Sequence, residues 1–393
     1  MPIIVQKYGG SSVGSVEKIK QVAAKIAARR REGYDVVVIV SAMGDTTDEL
    51  LALSKAITDN PQKRELDMLL TAGERISMAL LSMALNADGV PAISFTGSQS
   101  GIITNDSHTN AQIVDVRPYR VRDELAQGRV VIVAGYQGVS YKREVTTLGR
   151  GGSDTTAVAM AAALGAEACE IYSDVDGVFS GDPRVVEQAK KLREISYEEM
   201  QELAEAGARV LNAQAVEFAK KAGIAIDALS TFGGGTGTPV TAAPASTRRV
   251  SGVAGQKEMA VVSVKGTPAT LYEVCEMLDA RGLAGKHLSA TSEGGSMVLP
   301  LENVHGLAAL AADLKQRFGD KVALREGVGM VTAVGAGIDA DHSNLRRALA
   351  ALESLGVPVL GVHTSSLRLS LLIPVESVDD CVRRVHEALF EAV

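Results

Sequence analysis

The chain has 393 residues, which is too long for one ordinary domain, so we expect two or three. Its formal net charge is −7 at pH 7, with charges of both signs interspersed, and this argues against a nucleic-acid-binding protein, which needs a basic surface. The sequence shows no signal-peptide pattern and no apolar run long enough to span a bilayer, so we expect a cytoplasmic protein that binds no membrane.

The cysteines and histidines give no indication of a metal site built by the protein. Cys169, Cys275 and Cys381 lie far apart in apolar or helical segments, and the six histidines show no HxxxH-type grouping. The cysteines are therefore interpreted as reduced thiols, as is usual in cytoplasmic proteins.

The first sixty residues repeat one pattern, in which a strand, a loop of small polar residues and a helix follow one another. The predicted strands and helices are residues 3–8, 15–31, 35–40 and the segment from residue 48 onward. Repeated units of this kind predict a mostly parallel sheet covered by helices on both faces. Such sheets bind ligands at the carboxyl ends of their strands, where these loops lie.

Lys7 closes the first strand, and Gly9 and Gly10 follow it. A lysine beside glycine amides can hold a polyphosphate, because the amides donate along its length and the ammonium neutralises its charge. The Walker A pattern GxxxxGK[ST] is absent. The alternative interpretation is an exposed lysine before a flexible turn.

A helix is predicted over residues 64–77, and Glu74 follows Gly73 within it. The glycine would allow a ligand to come close, and the glutamate could receive a substrate ammonium. The alternative is a surface glutamate paired with Arg75. Farther along, residues 104–111 predict an exposed turn or lid, in which His108 is exposed or caps the turn.

The stretch Thr146–Thr156 lies between an apolar run at residues 130–135, which predicts a buried strand, and an alanine-rich helix. We interpret it as a direct strand-to-helix connection. Its glycines permit close approach of a ligand, and the helix start offers unpaired N–H groups to an anion. Arg150 adds a fork suited to a carboxylate or phosphate, and Asp154 adds an acid beside it. The alternative is a glycine-rich turn with an aspartate cap.

A further predicted strand ends in two acids, Asp174 and Asp176, which could ligate a cation or accept a hydrogen bond from a ribose hydroxyl. The alternative is an ordinary DxDG turn. A last strand at residues 224–229 precedes residues 236–249, whose Pro, Ala, Thr and Gly content predicts a linker.

Beyond the linker the pattern changes to two similar units of about 65 residues, each in the order β-α-β-β-α-β that is typical of ferredoxin-like domains. Their predicted helices are residues 270–281, 304–318, 343–355 and 378–390. Neither unit holds a convincing catalytic cluster, so both are interpreted as binding or association modules.

Five motifs in the first half of the chain occur together and in one order. They are residues 7–12 (KYGGSS), 40–47 (VSAMGDTT), 71–75 (TAGER), 146–156 (TTLGRGGSDTT), and 173–178 (SDVDGV) with 182–184 (DPR). In these residues the chain resembles the aspartokinases, in which an amino acid kinase domain is followed by two ACT domains. The resemblance implies an α/β fold: a three-layer sandwich with a mostly parallel central sheet, followed by two ferredoxin-like βαββαβ ACT domains. The implied boundaries are 1–245, 258–325 and 328–393.

The resemblance also implies a reaction, in which ATP phosphorylates the side-chain carboxylate of L-aspartate to give 4-phospho-L-aspartate and ADP, the first step towards lysine, threonine and methionine. Mg²⁺ would be held mainly by the ATP phosphates rather than by the protein. A lysine or threonine effector at the ACT domains and a homo-oligomer formed through them are implied as well.

The implied site has catalytic, substrate-binding and nucleotide-binding parts. Lys7 would stabilise the transferring phosphoryl group, and Asp154 would orient Lys7. Glu74 would receive the substrate ammonium and Arg150 its carboxylate. The implied substrate-binding residues are Ser41, Thr47, Glu74, Arg150 and Ser153. The implied ATP-binding residues are Lys7, Gly9, Gly10, Ser11, Ser173, Asp174, Asp182, Arg184 and Arg209.

The chain departs from the family pattern outside these motifs. Arg209 stands where the family has lysine, Asn212-Ala213-Gln214 where it has His-Pro-Arg, and Ala228-Leu229-Ser230 where it has Arg-Ser-Ser. His287-Leu288-Ser289-Ala290 replaces an Asn-rich strand of the first ACT domain. These departures predict an active kinase in which control by lysine and threonine is altered or lost. Two alternatives stay open: a kinase for another amino acid, such as glutamate, and a non-catalytic ACT-based sensor.

Overall fold

The structure is a computed structural model that describes residues 1–149, 151–242, 250–301, 304 and 306–390. The chain forms two compact units. The N-terminal unit comprises Met1–Val178, Lys191–Ala204 and Arg209–Ala245, and the C-terminal unit comprises Phe179–Lys190, Glu205–Ala208 and Ser246–Val393. The predicted Arg150 lies outside the described residues.

The N-terminal unit contains twelve strands and seven helices among its described residues. The strands are β1 (Ile3–Tyr8), β2 (Asp35–Val40), β3 (Ala92–Phe95), β4 (Ile102–Thr104), β5 (Ile113–Val116), β6 (Val130–Ala134), β7 (Gln137–Ser140), β8 (Val145–Thr147), β9 (Ala168–Ser173), β10 (Ile195–Ser196), β11 (Ile226–Ser230) and β12 (Thr238–Thr241). The helices are α1 (Val16–Arg31), α2 (Thr46–Ile57), α3 (Lys63–Ala87), α4 (Tyr119–Ala126), α5 (Gly152–Leu164), α6 (Tyr197–Glu205) and α7 (Ala213–Ala222).

The main sheet of this unit has eight strands in the order β10-β12-β11-β9-β1-β2-β6-β3. Its central strands pair in parallel, and the β11–β12 pair is antiparallel. Side chains from α1 and α3, such as Ile26 and Leu81, pack on one face with Val38. Helix α5 packs against β1, β2 and β9. Because both faces are covered, a central strand such as β6 is apolar and buried along its whole length. The predicted α/β sandwich with a mostly parallel sheet is confirmed.

Helix α3 is long and apolar enough to cross a membrane if length and composition alone are considered, which is true of no other described helix. The core helix of a soluble protein passes the same test, and α3 packs against α1, β3 and β6. Ser15 is the N-cap of α1, because its hydroxyl accepts a hydrogen bond from the amide of Lys18.

Two connections differ from the sequence interpretation. The stretch Thr146–Thr156 does not follow the buried strand β6 directly, because the antiparallel pair β7–β8 intervenes as part of a separate four-stranded sheet, β5-β4-β7-β8. These strands are short and partly polar, so the apolar pattern did not reveal them. The predicted linker at 236–249 begins with strand β12, which pairs with β10 and β11; residues 243–249 lie outside the described residues.

The C-terminal unit is built on one six-stranded sheet in the order β14-β15-β13-β16-β18-β17. Its elements are β13 (Gly252–Lys265), α8 (Pro268–Asp279), β14 (Lys286–Thr291), β15 (Gly294–Pro300), α9 (Leu307–Phe318), β16 (Val322–Val334), α10 (Ser343–Ser354), β17 (Gly361–Thr364), β18 (Arg368–Pro374) and α11 (Val378–Phe390). The long strands β13 and β16 pair along most of their length, with bulges near Met259.

Each half of this sheet carries its own hydrophobic core. Helices α8 and α9 pack on the half that includes Val262 and Val264, and helices α10 and α11 pack on the half that includes Val253 and Val331. The predicted β-α-β-β-α-β order is present once, as β13-α8-β14-β15-α9-β16. The second half runs β16-α10-β17-β18-α11, with no strand after α11 among the described residues, and the N-terminal end of β13 supplies its remaining strand by pairing with the C-terminal end of β16.

Candidate active site

The carboxyl ends of four neighbouring strands meet at one edge of the main sheet. Strands β9, β1, β2 and β6 are adjacent and parallel, and they end at Ser173, Tyr8, Val40 and Ala134. The segments that follow three of these ends carry five of the predicted site residues, which are Gly9, Gly10, Ser11, Ser41 and Asp174. This edge is where doubly covered parallel sheets bind their ligands.

Lys7 and Asp154 form an ion pair at this edge. The Lys7 Nζ atom lies 2.7 Å from Asp154 Oδ1, and the two side chains are only 13% and 11% exposed. The other carboxylate oxygen, Oδ2, accepts a hydrogen bond of 3.3 Å from the amide of Asn212. The aspartate therefore fixes the position of the lysine ammonium, and low exposure limits screening of that charge by water.

The loop after β1 packs tightly against the loop after β2. A Cβ atom on Gly10 would lie 2.8 Å from the carbonyl oxygen of Ala42, so only glycine fits there. The Gly10 carbonyl accepts a hydrogen bond of 3.1 Å from the amide of Gly44. The Gly9 amide donates a long hydrogen bond of 3.3 Å to Tyr172, and Lys7 Nζ lies close to Gly9. Ser11 is exposed on this loop.

Glu74 is a buried residue of α3, not a surface glutamate as the alternative interpretation required. It is only 3% exposed. Its Oε1 accepts a hydrogen bond of 3.2 Å from the amide of Ala42, and its Oε2 is buried with no hydrogen-bond partner among the residues that the structure describes. Burial raises the pKa of Glu74 to about 7, although hydrogen bonds from its own backbone and from Ala42 lower it. A buried, unpartnered carboxylate oxygen is suited to bind a cationic group.

Ala42 joins these two parts of the site. Its carbonyl oxygen faces Gly10 of the first loop, and its amide donates to Glu74. The glycine loop beside Lys7 and the buried carboxylate are therefore in contact with the same residue.

The remaining predicted substrate-binding residues lie on elements that begin or end at this edge. Ser41 directly follows β2, and its amide donates to the carbonyl of Tyr8 at 3.1 Å. Thr47 is in the first turn of α2. Ser153 is in the first turn of α5 and lies close to Gly135, the residue that follows β6. Arg150 is not described.

The predicted nucleotide-binding residues are divided between the two units. Ser173 ends β9, and its hydroxyl accepts a hydrogen bond of 3.1 Å from the amide of Val175. Asp174 and Arg209 are exposed residues of the same N-terminal unit. Asp182 and Arg184 belong to the C-terminal unit, where they form an ion pair of 2.7 Å. The structure therefore does not group all of these residues in one unit.

Comparison with known proteins decides the family. The family model described as "Amino acid kinase family" matches residues 2–227. The chain is 44% identical over 404 residues to the aspartokinase of Corynebacterium efficiens, an alignment that covers 98% of this chain and 96% of that protein. The chain belongs to the aspartokinase family. It is therefore an enzyme, and the non-catalytic sensor is set aside.

The aspartokinase fold is also found by structure comparison. The chain resembles E. coli aspartokinase III in complex with aspartate and ADP (R-state), with a TM-score of 0.89, 23% identity and coverage of 99% of this chain and 100% of that one. It resembles the same protein in complex with lysine and aspartate (T-state) with a TM-score of 0.76, 23% identity and 99% coverage of both chains. At this identity the likeness shows the fold, which agrees with the predicted fold class.

Asn212 was noted in the sequence only as a departure from the family, but it contacts the proposed site. Asn212 caps helix α7, because its side-chain oxygen accepts a hydrogen bond of 2.9 Å from the amide of Gln214. It also contacts the loop that precedes Asp154, since a Cβ atom on Gly151 would lie 2.1 Å from Asn212 Nδ2. An asparagine before a helical pattern is an N-cap signal, so the cap was predictable. Its contact with Asp154 was not, because 58 residues separate the two.

Proposed function

We propose that this protein transfers the γ-phosphoryl group of ATP to the side-chain carboxylate of L-aspartate, which gives 4-phospho-L-aspartate and ADP. A carboxylate oxygen forms the new bond to the γ-phosphorus while the bond between that phosphorus and the β,γ-bridging oxygen breaks. The carboxylate is already ionised at neutral pH, so no general base is needed. Catalysis then depends on positioning and on neutralisation of charge.

The observation that carries this proposal is the Lys7–Asp154 ion pair beside a glycine loop that shares Ala42 with Glu74. Lys7 would stabilise the transferring phosphoryl group together with the amides of Gly9 and Gly10. The Gly9 amide would exchange its long hydrogen bond to Tyr172 for a phosphate oxygen.

The aspartate substrate would be bound through its α-ammonium and α-carboxylate. The unpartnered Oε2 of Glu74 would receive the ammonium, and Arg150 would hold the carboxylate. Ser41, Thr47 and Ser153 would add hydrogen bonds. The likeness to E. coli aspartokinase III in complex with aspartate and ADP supports aspartate as a substrate and ADP as a product.

On the nucleotide side, we propose that Ser11, Ser173, Asp174, Asp182, Arg184 and Arg209 bind ATP. Within the described ranges, no three His, Cys, Asp or Glu side chains are grouped to hold a metal ion. We propose that Mg²⁺ arrives on the ATP phosphates, where it would neutralise phosphate charge.

Trapping of the acyl phosphate tests the proposed reaction. Hydroxylamine converts an acyl phosphate to a hydroxamate, so the protein is incubated with Mg-ATP and hydroxylamine and either L-aspartate or L-glutamate. We expect hydroxamate and ADP with aspartate and little of either with glutamate. Equal or greater product with glutamate would favour a kinase for another amino acid, and no product with either would refute the proposal.

The predicted change in regulation concerns His287 in β14. Its ring stacks on that of His363, a residue of β17, with 4.7 Å between the ring centroids. Of these two residues, only His287 lies in the segment that replaces the Asn-rich strand of the family. Burial, aided by the nearby Arg368, lowers the pKa of His287 to about 4, which disfavours a charged imidazolium at this position. We propose that control by lysine or threonine is altered or lost. Strong inhibition by either amino acid at low millimolar concentration would refute this.

The wider setting of the enzyme is also proposed. The three-part organisation is residues 1–245 as the catalytic domain and residues 258–325 and 328–393 as ACT-like domains, through which a homo-oligomer would form. We place the reaction in the cytoplasm, as the first step towards lysine, threonine and methionine. Cys169, Cys275 and Cys381 are free thiols, which agrees with a reducing compartment.

A further inference from the structure

Asp67 is a buried carboxylate in α3 that none of the proposed catalytic roles uses. It is 0% exposed. Its two oxygens accept hydrogen bonds from the hydroxyl of Thr147 at 2.5 Å and from the amide of Thr109 at 3.0 and 3.2 Å, and His108 Nδ1 lies 2.6 Å from its Oδ2. A buried carboxylate is costly unless it is satisfied in this way, so these contacts hold Asp67 in one place.

The groups that Asp67 holds come from two segments that are distant in sequence. His108 and Thr109 belong to the segment that was predicted as an exposed turn or lid. Thr147 ends strand β8, three residues before Arg150. The two segments also bond directly, because the amide of Ala111 donates to the carbonyl of Thr147 at 2.8 Å. His108 is therefore not a free surface residue of a lid but part of a bonded junction.

The same junction reaches the turn that leads into α5. Gly149 has a left-handed φ of 75°, and a Cβ atom on it would lie 2.8 Å from Asn110 Oδ1. Residues 109 and 110 therefore pack directly against the residue that precedes Arg150. The course of the chain on entering the proposed carboxylate-binding turn is set by contacts that Asp67 organises.

Asp67 and Glu74 are seven residues apart on α3, and both are buried. Residues separated by two turns lie on the same face of a helix, about 10 Å apart along its axis. One rigid helix thus carries the carboxylate proposed to bind the substrate ammonium and the carboxylate that holds the strand end before Arg150.

We propose that Asp67 is a positioning residue for the α-amino acid substrate. It fixes Thr147 and Gly149, which precede Arg150 in the chain, relative to Glu74, so that the ammonium and the α-carboxylate of one substrate molecule can be bound at the same time. This inference rests on the proposed function of Glu74 and Arg150. Asp67 itself touches no substrate.

The Asp67→Asn variant tests this role, because it keeps the size of the side chain and replaces one acceptor oxygen by a donor. The amide of Thr109 or the hydroxyl of Thr147 then loses its acceptor. We expect KM for aspartate to rise about tenfold or more, since small misplacements of binding groups have effects of about this size or larger. We expect KM for ATP to change less than about twofold, because the nucleotide side is not held by this junction.

The matched control is Asp106→Asn. Asp106 lies in the same segment, but its carboxylate pairs at the surface with Lys142 at 2.6 Å, and the two side chains are 47% and 75% exposed. The kinetic constants of this variant should equal those of the wild type. Thr147→Val provides a second, milder variant that removes a single donor to Asp67 if Asp67→Asn folds poorly, and it should raise KM for aspartate in the same direction.

Amide hydrogen exchange provides a readout that does not depend on catalysis. In Asp67→Asn the amides of Thr109 and Ala111 should exchange faster than in the wild type, and those of the central strand β2 should not change. The two proposals fail in different experiments. If the wild-type protein forms no aspartyl hydroxamate, the proposed function fails. If the exchange of the Thr109 amide is the same in Asp67→Asn as in the wild type, the positioning role of Asp67 fails, whatever the activity. If the wild type is active, a lower melting temperature with unchanged KM for aspartate in both variants would overturn the proposal and leave Asp67 a purely structural residue.

Discussion

Replacing Glu74 by glutamine removes a buried carboxyl group whose pKa lies near neutral pH. Burial raises the pKa of Glu74 to about 7. Only the ionised carboxylate attracts the α-ammonium of aspartate, so kcat/KM for aspartate should fall as the pH is lowered through about 7. The ionised fraction of such a group decreases from about 0.9 at pH 8 to about 0.1 at pH 6, and we expect a loss of roughly tenfold over that interval.

The Glu74→Gln variant should lose both the affinity and the pH dependence. A hydrogen bond to a charged group contributes about 1.5–3 kcal/mol, so KM for aspartate should rise about ten- to a hundredfold. The value of kcat should change little, because the ammonium contact is made equally in the ground state and the transition state.

The assay is the initial rate of ADP release between about pH 5.5 and 8.5, with aspartate varied at saturating Mg-ATP. The ratio of the wild-type to the variant kcat/KM isolates Glu74, because every other titrating group, including those of the substrates, is common to both proteins. A ratio that does not change with pH would refute the assignment of Glu74 to the ammonium site.

The same pKa has a consequence for stability. Folding raises the pKa of Glu74 from its usual 4.5 to about 7, so the folded state binds more protons than the unfolded state between these values. Stability therefore falls as the pH rises through this interval, by a total of about 3 kcal/mol. Glu74→Gln should be more stable than the wild type in urea at pH 8, and the difference should vanish near pH 4. A variant that is less stable at pH 8 would contradict the stated cause of the shift.

Further substitutions separate the other roles in the site. Arg150→Ala should mainly raise KM for aspartate, whereas Asp154→Ala should mainly lower kcat, because it releases the ammonium of Lys7. Steady-state kinetics of both variants check this prediction, and the reverse result would mean that the two roles are exchanged. Gly10→Ala places a Cβ atom 2.8 Å from the carbonyl oxygen of Ala42, and we expect kcat/KM for ATP to fall about tenfold or more; Gly234→Ala, where a Cβ atom meets open space, should leave it unchanged.

Much of the catalytic architecture was predictable because its signals are local. Strands such as β2 are apolar after their first residue, which indicates burial on both faces, and small polar loops mark their ends. Parallel neighbours then bring those ends to one edge of the sheet. For this reason the positions of Lys7, Ser41 and Ser173 at that edge were predicted before any contact was known.

The contacts within the site were harder to predict because they join distant segments. The sequence did not reveal strands β7 and β8, which are short and partly polar, so Thr146–Thr156 was assigned to the wrong preceding strand. Residues 104–111 were interpreted as an exposed lid, yet they bond to the buried Asp67. A carboxylate in a helix gives no local signal of the amides and hydroxyls that satisfy it.

The sequence by itself determined the kind of chemistry: a lysine beside glycines, an acid at the start of a helix and acidic strand ends, in an order shared with the aspartokinases. Tertiary structure decided how those groups behave. It buried Glu74 and so raised its pKa to about 7, paired Lys7 with Asp154 across 147 residues, and placed Asp182 and Arg184 in the C-terminal unit. Residue type determines which charges a side chain can carry. Burial and contacts with distant residues determine which of these charges it carries in the folded protein and where it is held.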